Sequence, residues 1–298
     1  MKTNNASIHV LALLSMIFWG MSYIWSKVVF TYLDPIVTVF IRLIISAITL
    51  LLILTITRKW QPIKKVHLPL FLLSSLFNPF LYFICESLGL QLVTPTLSAV
   101  IIATIPVFTP MVAYLLLKEK LKLLNLFGLV VSIVGVLIIV FDKSINEQAV
   151  SWPGILLLFG AVIAAVGHGI LLKKLTYHYN PVMIISTQNI TGILYFLPLV
   201  IFFRGDDTML LPPDAVLITN LLLLGIFASS LAYVFYTASV KKFGIARSSL
   251  YANLIPVFTA IFSYFLLKEI ISLQKLSGIL IVIIGVILSE YNAKPIKV

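Results

Sequence analysis

Long apolar runs follow one another along the whole 298-residue chain, with only short polar segments between them. A helix that crosses a bilayer needs about 20 mostly apolar residues. Charges, Pro and Asn bound ten such runs: 9–29, 36–56, 68–90, 96–117, 122–141, 152–172, 182–203, 215–240, 247–267 and 273–290. Composition agrees with that reading. The chain is 61% hydrophobic and 10% charged, with mean hydropathy +1.13. Soluble domains average about 45–50% apolar and about 25% charged. A water-facing domain has no place for that apolar excess, so the chain does not read as a soluble enzyme. No segment alternates apolar and polar residues with period two, so a membrane β-barrel is not indicated either. The expected fold is an all-α integral membrane protein with ten transmembrane helices.

The net charge of +11 does not point to nucleic acid here, because the basic residues sort by side of the membrane. With the N-terminus inside, 15 of the 21 Lys and Arg fall in inside loops and 5 outside, and Arg42 lies within a helix. That bias predicts both termini in the cytoplasm of an inner or plasma membrane. The segment 204–214 holds three Asp and one Arg, which suits the outside. The first apolar stretch is too long for a signal-peptide core and reads as a retained helix. A single cysteine, Cys85, leaves no intrachain disulfide or cysteine zinc site.

Self-comparison at an offset of 150 gives an internal repeat. Ile105-Pro106-Val107-Phe108-Thr109 meets Ile255-Pro256-Val257-Phe258-Thr259. Lys118-Glu119 meets Lys268-Glu269, and Gly128 and Gly135 meet Gly278 and Gly285. Between 105 and 136, 16 of 32 positions are identical. Apolar bias alone does not align Pro, Gly, Lys and Glu together. The expected organisation is two five-helix repeats, 1–148 and 149–298. Five is odd, so the second repeat enters the membrane in the opposite sense. Such inverted repeats are a mark of secondary transporters, with the substrate site near the midplane between halves.

The paired motifs IPVFTPMVAYLLLKE and IPVFTAIFSYFLLKE, each followed by two glycines, resemble the EamA domain of the drug/metabolite transporter superfamily. FWGMSYIWSK (18–27) and FIRLIIS (40–46) carry the same resemblance, which covers nearly the whole chain. It implies ten helices, cytoplasmic termini and export or exchange of small metabolites such as amino acids or drugs.

Polar residues at helical spacing mark faces that cannot all meet lipid. Ser15, Trp19, Ser22 and Ser26, with Tyr23 beside them, stripe helix 1. Thr38, Arg42, Ser46 and Thr49 stripe helix 2, and Asn78, Tyr82 and Glu86 stripe helix 3. Gln188, Thr191 and Tyr195 follow on helix 7, Ser229, Tyr233, Tyr236 and Thr237 on helix 8, and Ser249 and Asn253 on helix 9. An ionisable residue inside a span is a functional candidate by default. Glu86 could carry a coupling proton, bind a cationic substrate group, or serve as a fixed partner of Arg42, Lys27 or His168. Arg42 could bind a substrate carboxylate or hold Glu86. His168 suits a protonation switch or an interior hydrogen bond. The substrate and proton candidates are therefore Glu86, Arg42, His168, Trp19, Tyr23, Tyr82, Gln188, Tyr233 and Asn253. Lys27 reads as reaching toward the outer interface. Pro106 and Pro256, at matching places in the two halves, read as kinks of gating helices.

Helices 5 and 10 carry small residues instead: Gly128, Ser132 and Gly135, then Ser277, Gly278 and Gly285. They are expected at the periphery, packing within one chain or forming a homodimer seam. The leading functional reading is a secondary active exporter working by alternating access, with no cofactor and no metal. A uniporter, exchanger or importer on the same fold, a channel, and a membrane-embedded enzyme are the alternatives. No GxxxxGK[ST], HExxH or GxSxG occurs, so ATP hydrolysis and hydrolytic chemistry are not indicated.

Overall fold

Helix starts are written into the sequence as a capping residue ahead of an apolar run, often followed by proline. Ser, Thr, Asp and Asn side chains accept from orphan N–H groups of the first turn, and Pro at the first position needs no donor. Asp34 accepts from Ile36 and Val37, Thr94 from Leu97, Ser151 from Gly154, Asn180 from Met183, and Asp214 from Leu217. The bond from Leu217, joined by one from the Tyr32 hydroxyl at 2.9 Å, holds the Asp214 carboxyl below its ordinary range.

The computed structural model describes residues 5–108, 123–141, 151–202 and 212–290. Its helical segments are α1 (Asn5–Val29), α2 (Pro35–Thr57), α3 (Lys65–Leu92), α4 (Pro95–Phe108) and α5 (Leu123–Val140). Then come α6 (Trp152–Thr176), α7 (Pro181–Phe202), α8 (Ala215–Phe243), α9 (Tyr251–Leu267) and α10 (Leu273–Glu290). A short helical turn, Ile245–Ser249, leads into α9. No strand occurs among the described residues. The segments α1, α2, α3, α6, α7 and α8 are long and apolar enough to cross a membrane, and the other four are shorter apolar helices. Large apolar side chains such as Ile48, Leu52, Phe127, Leu194 and Leu280 point outward all round the bundle. Lipid is the solvent that accepts such a surface. The protein is a multi-pass membrane protein. Pro110, Lys118 and Glu119 lie outside the described residues, as does most of segment 204–214.

The packing repeats itself between halves. α1 packs on α8 as α6 packs on α3, and α1 packs on α9 as α6 packs on α4. The pairs α2·α7 and α5·α10 map onto themselves. Replacing each helix by its counterpart five places on leaves this pattern unchanged. The helix irregularities also match. α3 is interrupted at Leu76–Leu81, where Asn78 is extended (φ −148°, ψ 120°) ahead of Pro79, and α8 opens into a wide π-type turn at Leu224–Leu231. α4 breaks at 103–104, before Pro106, and the chain is 3-10 at Leu250–Leu254, before Pro256.

A widened turn frees backbone carbonyls, which must find partners away from water. In α8 the Trp19 indole donates to Ala228 O at 3.3 Å, Asn189 Nδ2 to Ser229 O at 3.2 Å, and Ser230 Oγ to Gly225 O at 2.8 Å. Asn189 also donates to Ser46 Oγ at 2.6 Å, so α2, α7 and α8 meet in one polar seam.

Helices α5 and α10 meet through their small residues within one chain. A Cβ on Gly285 would stand 2.5 Å from Ser132 N and 2.8 Å from Gly128 O. On Gly135 it would stand 2.7 Å from Val282 N. Ser132 Oγ donates to Val282 O at 3.3 Å. A homodimer seam on these helices would have to use their outward faces instead. Gly285→Leu is expected to cost about 1–3 kcal/mol by overpacking this contact. Leu280→Ala, on the outward face, should stay within about 0.5 kcal/mol of wild type. Thermal melting in detergent measures both.

Candidate functional site

A cavity of about 90 Å³ lies inside the bundle, walled by α1, α2, α3, α4, α6, α8 and the start of α9. Helices α5, α7 and α10 contribute nothing to its lining. Most of the wall is apolar or aromatic, and its two formal charges are Arg42 and Glu86.

Glu86 stands on α3 one turn beyond Tyr82, so the tyrosine hydroxyl reaches it and donates to Oε1 at 3.1 Å. Tyr23 of α1 lies against the same carboxyl. Arg42, only 3% exposed, points its Nε at Ser229 Oγ at 2.8 Å and lays its guanidinium 4.4 Å over the Phe83 ring. Such a face-on contact stabilises a cation where water is scarce. The two charges make no contact within 4.0 Å, although each lies in the other's field. Among the described residues, Lys275–Glu269 is the only cation–carboxylate pair within 4.0 Å. Glu86 therefore makes no direct ionic contact with Arg42, Lys27 or His168. Lys27 donates to Gln91 O at 3.2 Å, at the end of α3.

His168 lies on the cavity wall, 6% exposed. Gln188 Nε2 sits 3.2 Å from its Nε2 and donates to Ser74 Oγ at 2.7 Å. The opposite wall is aromatic: Trp19 meets Tyr233 edge-on at 5.0 Å and Tyr236 at 5.2 Å. Asn78, at the break in α3, donates to the Tyr233 hydroxyl at 3.3 Å.

Seven of the nine candidates read from sequence line this space: Trp19, Tyr23, Arg42, Tyr82, Glu86, His168 and Tyr233. Gln188 stands one layer behind, holding His168. Asn253 is buried off the wall, and its Oδ1 meets no hydrogen-bond partner. Pro106 lines the cavity, whereas Pro256 packs behind Ile255, which does. Sequence reasoning put no weight on Phe83, Ala165, Gly169 or Ala252, since apolar and small residues carry no chemical signal. Their only cue was their place on helix faces already striped with polar groups.

Comparison with known proteins places this architecture. The model of the EamA-like transporter family matches residues 6–141 and again 152–291. A protein of Archaeoglobus fulgidus named "Uncharacterized transporter" is 24% identical over 275 residues, covering 92% of this chain and 95% of its own. The Bacillus subtilis "Uncharacterized transporter YvbV" is 25% identical over 94% of this chain and 90% of its own. A "Probable amino-acid metabolite efflux pump" of Salmonella typhimurium is 23% identical over 95% and 94%. A solved crystal structure shares the fold, with TM-score 0.71 at 12% identity over 96% of this chain and 99% of that one. The chain belongs to the EamA-like transporter family.

Proposed function

We propose that this transporter is a secondary active exporter of small metabolites, amino acids foremost, working by alternating access. Residues 1–148 and 149–298 are its two inverted five-helix repeats, set in the cell membrane with both termini in the cytoplasm. The observation that carries this reading is the cavity between the halves, which holds one cation and one carboxylate that are not in direct contact with each other. Buried charges are costly unless paired. A zwitterion supplies both partners: its carboxylate faces Arg42, and its ammonium faces Glu86. The name of the Salmonella relative supports the same substrate class. Glu86, hydrogen-bonded to Tyr82 and open to the cavity, is also the group on which a coupling proton would travel. The matching helix breaks before Pro106 and Pro256 supply one bending point per half.

The test is the melting temperature of purified protein against a panel of amino acids, amines, sugars and nucleotides. A ligand present at 100 times its Kd stabilises by about 2.7 kcal/mol. An amino acid should stabilise wild type and fail to stabilise Glu86→Gln, whose ligand-free melting stays near wild type. That ligand should then show saturable counterflow in proteoliposomes, which Glu86→Gln abolishes. If all amino acids are silent while another class stabilises, the amino-acid assignment falls. Flux that does not saturate would make the protein a channel.

A further inference from the structure

On α1 the Trp19 side chain fills its place on the cavity wall, donating to Ala228 O on α8 and stacking edge-on against Tyr233. Gly169 of α6 lines the same cavity, and a Cβ built on it meets nothing within 4 Å. Gly167, two residues earlier, is the contrast: a Cβ there would stand 2.9 Å from the Phe77 ring. Helix packing therefore explains the glycine at 167 and not the one at 169. Glycine in a helix interior is destabilising relative to alanine, so an unpacked one facing a cavity points to room kept for something else.

We propose that Gly169 sets the largest substrate side chain that the cavity admits. With the substrate's charged groups at Arg42 and Glu86, its side chain extends toward α6, into the open space beside Gly169. His168 and Ala165 flank that space on the same helix. The inference rests on the amino-acid reading above for the identity of the ligand, and on the geometry at Gly169 for the room.

Two measurements test it. The first is ligand binding, read by melting shift, for glycine, alanine, leucine and tryptophan on wild type, Gly169→Ala and Gly169→Leu. Ligand-free melting of both variants should match wild type, whereas Gly167→Leu should melt lower. Gly169→Leu should raise the Kd of leucine and tryptophan at least tenfold and that of alanine less than threefold. Equal losses for all ligands, or none for the large ones, would overturn the proposal.

The second measurement needs no substrate. Gly169→Cys in a Cys85→Ser background is reacted with ethyl and benzyl methanethiosulfonate. Both adducts should form, and neither should lower the melting temperature. An inert thiol, or an adduct that unfolds the protein, overturns the proposal. If no amino acid binds wild type, the amino-acid reading fails by itself. The benzyl adduct then decides Gly169: clean formation supports the open compartment, and failure to form removes it.

Discussion

Lys275→Met is expected to lower the unfolding free energy by about 3–5 kcal/mol, the usual consequence of stranding one partner of a buried ion pair. Lys275 is 1% exposed and Glu269 9%, with Nζ 2.9 Å from Oε1. The same ammonium donates to Ile270 O at 2.9 Å, and the other carboxylate oxygen accepts from Thr96 Oγ1 at 2.8 Å. One pair thus ties the start of α4 to the turn between α9 and α10. Removing Lys275 leaves a carboxylate with a single neutral donor. Replacing both members, as Lys275→Met with Glu269→Leu, should recover most of the loss, because a buried pair and a well-packed apolar pair are often equivalent. Lys27 borders the same shallow depression as Glu269, so adding Lys27→Met to Lys275→Met should deepen the loss. Denaturant unfolding in detergent measures all three variants. A Lys275→Met protein within about 1 kcal/mol of wild type would mean that the pair contributes nothing to the fold.

The largest effect on binding is expected at Arg42. Truncating one side of a buried, hydrogen-bonded charge contact costs about 2–5 kcal/mol, or roughly 30- to 5,000-fold in Kd. Arg42→Met keeps most of the side-chain volume over Phe83 and removes the guanidinium. Under the zwitterion reading, an amino acid should lose that affinity, while the matching amine, which has no carboxylate, should bind the variant as it binds wild type. Glu86→Gln should produce the reverse selectivity, sparing the carboxylic acid that lacks an amine. Titration calorimetry of the two variants with the three ligands gives six Kd values. Equal losses for amine and amino acid on Arg42→Met would assign Arg42 to holding the wall rather than the ligand. Arg42→Lys distinguishes charge from shape, since lysine keeps the charge but not the planar fork.

Most helix limits were legible because they are set by local chemistry. Asp34-Pro35, Thr94-Pro95 and Asn180-Pro181 announce starts that the structure places within a residue or two. The wide turn at Leu224–Leu231 was not legible, since LGIFASSL is an ordinary apolar helical sequence. Its carbonyl partners, Trp19 and Asn189, lie on distant helices, and only the fold brings them there. Lys275 was also misjudged. Charge counting sees it as a loop cation, but its burial depends on Glu269 and Ile270 folding back around it. On the wall, helical spacing picked out the correct face, but a stripe is broader than the cavity it borders. Gln188 and Asn253 therefore shared the signal of residues that line the space while standing behind or beside it. Gly169 was overlooked for the opposite reason, as it offers no group to notice.

The self-paired contacts α2·α7 and α5·α10 behave differently from the contacts that occur twice. A tilt of one half against the other leaves a self-paired contact on its own axis. Under the alternating-access reading proposed above, the duplicated contacts act like the two pans of a balance: as α1 loosens from α8, α6 tightens on α3. In a carrier cycle the interactions broken at one end are then largely those gained at the other, and the two end states differ by a small remainder. About 5.5 kcal/mol of differential affinity moves such an equilibrium from 1:99 to 99:1. A substitution that weakens α1·α8 and its counterpart that weakens α3·α6 should therefore tip the resting population in opposite directions.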